Sequence, residues 1–140
     1  MRVMALDIGT KNIGVAVSDE TGILAQAKGP VRRTSTARAV TRIRELVEQF
    51  NVGEIVVGLP LNMNGTMGRR AEDSVKFAGI LKQRTSLPVK LWDERLSTRE
   101  AEAVMIEASV TRKKRKKTVD GLAAQIILQG YLDSLETERG

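Results

Sequence analysis

The chain has 140 residues, 41% of them hydrophobic, which suits one compact domain with a real core and excludes a disordered chain. It contains neither cysteine nor histidine, which excludes disulfides, thiolate and imidazole metal sites and Ser-His-Asp catalysis, so any metal would sit on oxygen ligands, which favour Mg2+ or Mn2+. The net charge of +6 is local: of 23 Lys and Arg, six are consecutive at Arg112-Lys113-Lys114-Arg115-Lys116-Lys117, and the other 17 equal the 17 Asp and Glu.

From the N-terminus, Met1 to Asp7 reaches a charge too early for a signal peptide, and no window approaches the ~20 apolar residues of a membrane span; a cytoplasmic protein with no membrane partner is expected. Residues 3–6 form a short apolar run that ends in Asp7, followed by the turn Gly9-Thr10-Lys11-Asn12 and a second strand over 13–17. After Asp19-Glu20-Thr21-Gly22 a third strand is predicted over 23–31, completing an antiparallel meander. Residues 36–50 carry Val40, Ile43, Leu46, Val47 and Phe50 at helical spacing. A buried strand over 54–58 follows, then a Gly- and Asn-bearing loop over 62–68 and a helix from about 69 to 84. A fifth strand covers 87–92, stopped by Asp93-Glu94. Ser97-Thr98-Arg99-Glu100 matches a capping box and opens a helix that should end near Ser109. The basic run then reads as a flexible loop over about 109–118, and Thr118 caps a last helix with Val119, Leu122, Ala123, Ile126 and Ile127 on one face. The pattern predicts one α/β domain over 1–140: a five-stranded mixed sheet, with strands 1–3 as the meander and two parallel strands, and helices on both faces.

Three acids stand out. Asp7 ends an apolar strand beside a glycine turn, where it either caps that turn or faces a ligand. Glu94 lies just past the fifth strand, where an exposed pair with Arg95 is the plainer reading. Asp120 falls in the first turn of the last helix, a place that the helix dipole alone explains. Taken together, strand ends at one sheet edge and a helix packed over it can bring the three carboxylates to one point. Such a set suits a pair of divalent cations clamping a phosphodiester, with no histidine base required. Lys11 and the basic run Arg112, Lys113, Lys114, Arg115, Lys116 and Lys117 are candidates for holding the substrate backbone, a solvated run being the alternative. Arg95 is a candidate for phosphate contact, behind a salt bridge to a nearby acid. Trp92 fits core packing better than base stacking, and with 3% aromatic residues recognition should lean on phosphates and RNA shape.

Four segments carry a family resemblance, in order and over essentially the whole chain: Asp7-Ile8-Gly9-Thr10-Lys11-Asn12-Ile13-Gly14-Val15-Ala16; Val57-Gly58-Leu59-Pro60-Leu61 with Gly65; Asp93-Glu94-Arg95-Leu96-Ser97-Thr98; and Asp120-Gly121-Leu122-Ala123-Ala124 with Ile127-Leu128. The chain resembles the YqgF family, the pre-16S rRNA nucleases also described as Holliday-junction-resolvase-like. The resemblance implies an RNase H-like fold, a role in trimming the 5′ end of 16S rRNA precursor, a divalent metal, and acids at Asp7, Glu94 and Asp120. One departure stands out: related resolvases carry their second acid at the end of the fourth strand, and here that strand ends in Gly58-Leu59-Pro60. Glu94 on the neighbouring strand would have to replace it, with Asp93 as its local competitor. Gly58-Leu59-Pro60 with Asn62, Asn64 and Gly65 reads equally as a substrate-facing rim and as a plain connecting loop.

The leading expectation is a metal-dependent endonuclease acting on RNA, specifically rRNA precursor. Cleavage of branched DNA is the alternative with the same acids. A nucleotide-binding enzyme of the actin-like group shares Asp-x-Gly-Thr but needs two lobes. A non-catalytic RNA-binding module would suffer repulsion between its acids and phosphate. The pattern specifies neither a monomer nor a dimer.

Overall fold

The computed structural model describes residues 1–96 and 112–139, and the side chains of 1–96 and 121–138. Its elements are β1 (Arg2–Ile8), β2 (Asn12–Ser18), β3 (Ala25–Ala27), β4 (Val31–Arg32), α1 (Thr36–Gln49), β5 (Val52–Leu59), α2 (Arg69–Thr85), β6 (Val89–Asp93), a 3-10 turn (Glu94–Leu96) and α3 (Arg112–Arg139). One mixed sheet runs β3-β2-β1-β5-β6, with β4 also paired to β2. β1 is antiparallel to β2 and parallel to β5, and β5 is parallel to β6. The C-terminal ends of β1, β5 and β6 therefore emerge along one edge.

The predicted third strand is present in two pieces. β3 and β4 both pair with β2, and the break between them contains Gly29 at φ +82° and Pro30, which has no N–H to donate. The five predicted sheet positions thus hold six strands.

Strand alternation sends two apolar sets to opposite faces. Met4, Leu6 and Ile8 of β1 join Ile13, Val15 and Val17 of β2 against Val40 and Ile43 of α1 and Phe77 and Leu81 of α2. Ala5, Ala16 and Val56 face the other way, onto Ala124, Ile127, Leu128 and Leu132 of α3. Helices cover both faces, as the pattern predicts.

Two features of α3 differ from the sequence reading. The helix begins at Arg112, so Arg112 to Lys117 are helical rather than loop, and Thr118 is inside the helix. Lys and Arg are strong helix formers, which favours extension through the run. The buried stripe is also turned round the axis: it comprises Gly121, Ala124, Ile127, Leu128, Tyr131 and Leu132, so that of the predicted set Ile127 is buried, Leu122, Ala123 and Ile126 are half-buried, and the side chain of Val119 is outside those described. Small residues set this rotation. A Cβ on Gly121 would stand 3.0 Å from the Ala27 side chain, and Ala124 packs on the alanines of β1 and β2. Polar groups finish the fit: Gln125 and Gln129 bond the backbone of edge strand β3 at Ala25 (3.1 and 3.0 Å). The Tyr131 hydroxyl donates to Glu54 and accepts from Lys90 Nζ (3.0 Å), tying α3 across β5 and β6. The helix predicted from Ser97 to near Ser109 lies outside the described residues.

Candidate active site

Asp7 sits on the α3 side of β1, on the same face as Ala5. Its neighbours across the sheet are glycines. It pairs with Gly14 of β2, and Gly58 of β5 follows Val57, the partner of Leu6. On the β2 flank the absence of a side chain at Gly14 leaves it lining a cavity of about 630 Å3, together with Asp7, Gly9, Lys11, Asn12 and Ala123 of α3.

The turn after β1 is fixed by backbone geometry. Gly9 N–H bonds the Asn12 carbonyl at 3.0 Å, and a Cβ on Gly9 would stand 2.3 Å from that same oxygen, so glycine is required there. Arg33 then locks the turn. Its guanidinium donates to the Gly9 carbonyl (3.2 Å) and to both oxygens of Asp73 on α2 (2.6 and 2.9 Å). Its own N–H bonds the Lys11 carbonyl (2.8 Å), and its guanidinium lies over the Phe77 ring (5.2 Å). Hydrogen bonding between the pair raises the pKa of Arg33 and lowers that of Asp73.

Glu94 opens the 3-10 turn beyond β6, and its side chain runs back over Gly58. A Cβ on Gly58 would meet Glu94 Cδ at 3.2 Å and Ile127 Cδ1 at 2.5 Å. This accounts for the acid missing from the end of β5: the bare backbone at 58 leaves the space that the Glu94 carboxyl fills. Glu94 Oε2 is buried without a hydrogen-bond partner. Burial first, then the charge of Asp7, pushes the carboxyl up to about 7, while Arg70 pulls the other way. Asp93 is directed elsewhere. It accepts from Arg95 Nη2 at 2.8 Å, and that hydrogen bond holds its carboxyl below the usual range.

Of the predicted residues, the structure therefore brings Asp7 and Glu94 together and sets Lys11 at the same cavity. Arg95 is engaged by Asp93 and by the Met63 carbonyl (3.3 Å), the salt bridge that the sequence reading ranks ahead of phosphate. The Gly- and Asn-bearing loop is tied to itself, with Asn62, Asn64 and Thr66 joined at 2.6 to 3.0 Å. Trp92 packs against the α3 cluster, edge-on to Tyr131. Asp120 and Arg112 to Lys117 lie in α3, but their side chains are outside those described. The backbone at 120 comes one turn before Ala123, which lines the cavity. Among the described residues, no group of three acids is assembled.

Sequence reasoning missed Arg70 and the Arg33–Asp73 pair. Arg70 Nη2 stands 3.7 Å from Asp7 Oδ1. A signal for it existed: Arg69-Arg70 starts α2, where cations oppose the helix dipole and need another reason to be there. Arg33 has no such signature, because its partners come from β1's turn and from α2.

The pair of acids can do one thing that neither does alone. Two carboxylates forced together in a partly buried place, one with an orphaned oxygen, fit a divalent cation, which would relieve both the repulsion and the unmet hydrogen-bonding need.

Among curated relatives, a protein of Thermoanaerobacter pseudethanolicus is 49% identical over 135 residues, covering 96% of this chain and 97% of its own. One of Geobacillus kaustophilus is 53% identical, covering 96% and 99%. Both are assigned the name pre-16S rRNA nuclease, a hydrolase. The fold matches Thermus thermophilus RuvC, solved in complex with a Holliday junction substrate, with a TM-score of 0.64 at 14% identity and 96% coverage of each chain; this is the RNase H-like architecture of resolvases. Residues 1–134 match the family described as RuvX, Holliday junction resolvase, and the chain belongs to that family of nucleases.

Proposed function

We propose that the chain is a divalent-metal-dependent endonuclease that hydrolyses phosphodiester bonds in RNA, acting in the cytoplasm in 5′-end maturation of the 16S rRNA precursor. The observation that carries this reading is the convergence of Asp7 and Glu94 over the bare backbone of Gly58. The names of the relatives supply the substrate.

In this reading Asp7 and Glu94, with Asp120 from α3, hold Mg2+ or Mn2+. Such cations, when bound, supply Lewis-acid chemistry that activates water near neutral pH and offsets charge on the phosphate. The chain's own residues do the rest. Gly14 leaves room for the strand to approach Asp7, and Gly58 makes room for Glu94. Arg33 holds the Gly9 to Asn12 turn, and Lys11 on that turn meets the substrate backbone. Arg112, Lys113, Lys114, Arg115, Lys116 and Lys117, at the start of α3, extend the contact along the polyanion. Six cations in the first turns of a helix oppose its dipole, an arrangement that phosphates stabilise. Arg95, held by Asp93, is left to shape the loop.

A second reading, cleavage of branched DNA, draws on the family description and on the RuvC fold. One experiment tests both: matched RNA precursor and four-way DNA junctions are incubated with the wild type, Asp7→Asn and Glu94→Gln. RNA cleavage by the wild type, lost by at least about 100-fold in either variant with the fold retained by circular dichroism, is the expected result. Full activity in a variant removes that residue from the site, and cleavage confined to the junction replaces the first reading with the second.

A further inference from the structure

Three arginines surround the turn after β1 and the carboxylates, and they are held very differently. Arg33 is fixed by two short bonds to Asp73, and Arg95 by its bonds to Asp93. The Arg70 guanidinium is 63% exposed and reaches Asp7 only at 3.7 Å, beyond hydrogen-bond distance. No other ion pair or hydrogen bond to its guanidinium occurs among the described residues. Its backbone, in contrast, is anchored: α2 is tied to the turn after β1 through Asp73, three residues on, and the Arg70 carbonyl accepts from Ser74. A fixed stem with a loose head can reorient without moving the helix.

The pairing is also one that a stronger cation displaces. A monovalent guanidinium in solvent gains little from a carboxylate at this distance, whereas a divalent ion binds oxygen directly. We propose that Arg70 exchanges places with the metal: it neutralises Asp7 while the carboxylates hold no cation, and it turns to a phosphate of the nucleic acid when a divalent ion takes Asp7. The first position restrains two adjacent acids from repelling the incoming substrate. The second adds a cation on the side of the cleft opposite α3. This inference rests on the nuclease reading above.

The test uses the full chain, Mn2+ alone and a nuclease-resistant phosphorothioate RNA duplex. Mn2+ affinity is measured by calorimetry without nucleic acid, for the wild type, Arg70→Gln, Arg70→Lys and Asp7→Asn. Arg70→Gln should bind Mn2+ about three- to fivefold more tightly than the wild type, because a competitor is gone. It should bind the duplex in the presence of Mn2+ more weakly, with a log–log salt slope shallower by about 0.9. Arg70→Lys, which keeps the charge, should restore both properties. Wild-type Mn2+ affinity or an unchanged salt slope in Arg70→Gln overturns the exchange and leaves the nuclease reading intact. Mn2+ binding that survives Asp7→Asn at full strength overturns the carboxylate site, and the exchange with it.

Discussion

Glu94 is ionised only at a cost in the metal-free chain, because burial and the Asp7 charge lift its carboxyl from 4.5 to about 7. Between these two values the native state holds a proton that the unfolded chain has released. Stability therefore falls as pH rises through this window, with the full loss reached above about 7. Since the side chain retains some solvent contact, the loss is discounted to about 1–2 kcal/mol. Chemical denaturation with a chelator present should show the wild type less stable at pH 8 than at pH 5, and Glu94→Gln should flatten that difference. Adding Mn2+ at pH 8 should restore stability to the wild type but not to Asp7→Asn. A wild type whose stability rises from pH 5 to pH 8 by the same amount as Glu94→Gln would show the carboxyl to be solvated. At this scale the local sequence distinguishes poorly between Asp93 and Glu94, which are adjacent and both acidic. Their roles separate through contacts from afar: Arg95 takes one, and Gly58 makes room for the other.

Among elements, α2 acts on the turn after β1 from the side, through one ion pair. Asp73→Asn removes the charge that fixes Arg33, which in turn holds the Gly9 carbonyl and, through its backbone, Lys11. The expected stability loss is about 1 kcal/mol, small because the Asp73 side chain is 40% exposed. The expected loss of kcat is larger, about tenfold, since displacement of the turn misplaces Lys11 and Asp7. Equilibrium unfolding and steady-state rates check this; a rate that falls no more than stability predicts would make the pair structural only. The meander, the helices at 36–50 and 69–84 and the strand ends are legible in the sequence, because hydrophobic period and glycine turns are local properties. The face of α3 is not. Gly121 lies close against Ala27 and Ala124 joins the alanines of the sheet, residues that carry little hydropathy signal, so large apolar side chains alone place the buried face about one residue off. The split of the third strand is signalled by Gly29-Pro30, a break that the flanking apolar residues mask.

For the whole molecule, charge is concentrated where α3 begins, and the rest of the chain is balanced. Replacing Arg112, Lys113, Lys114, Arg115, Lys116 and Lys117 with glutamine should weaken RNA binding equally across sequences. It should also reduce the log–log salt slope by roughly 0.9 for each phosphate that the run neutralises on duplex. Filter binding over a range of salt measures both, and an unchanged slope would show the run to be idle. The assembly of the site has a further consequence. Asp7 precedes Glu94 by 87 residues, and the Ala123 wall of the cavity follows Glu94 by 29. A chain still leaving the ribosome before these positions are made thus carries only part of the candidate site. In the nuclease reading such a copy lacks half of the carboxylate pair and does not cleave, a safeguard of particular value if the target is RNA of the particle doing the translating.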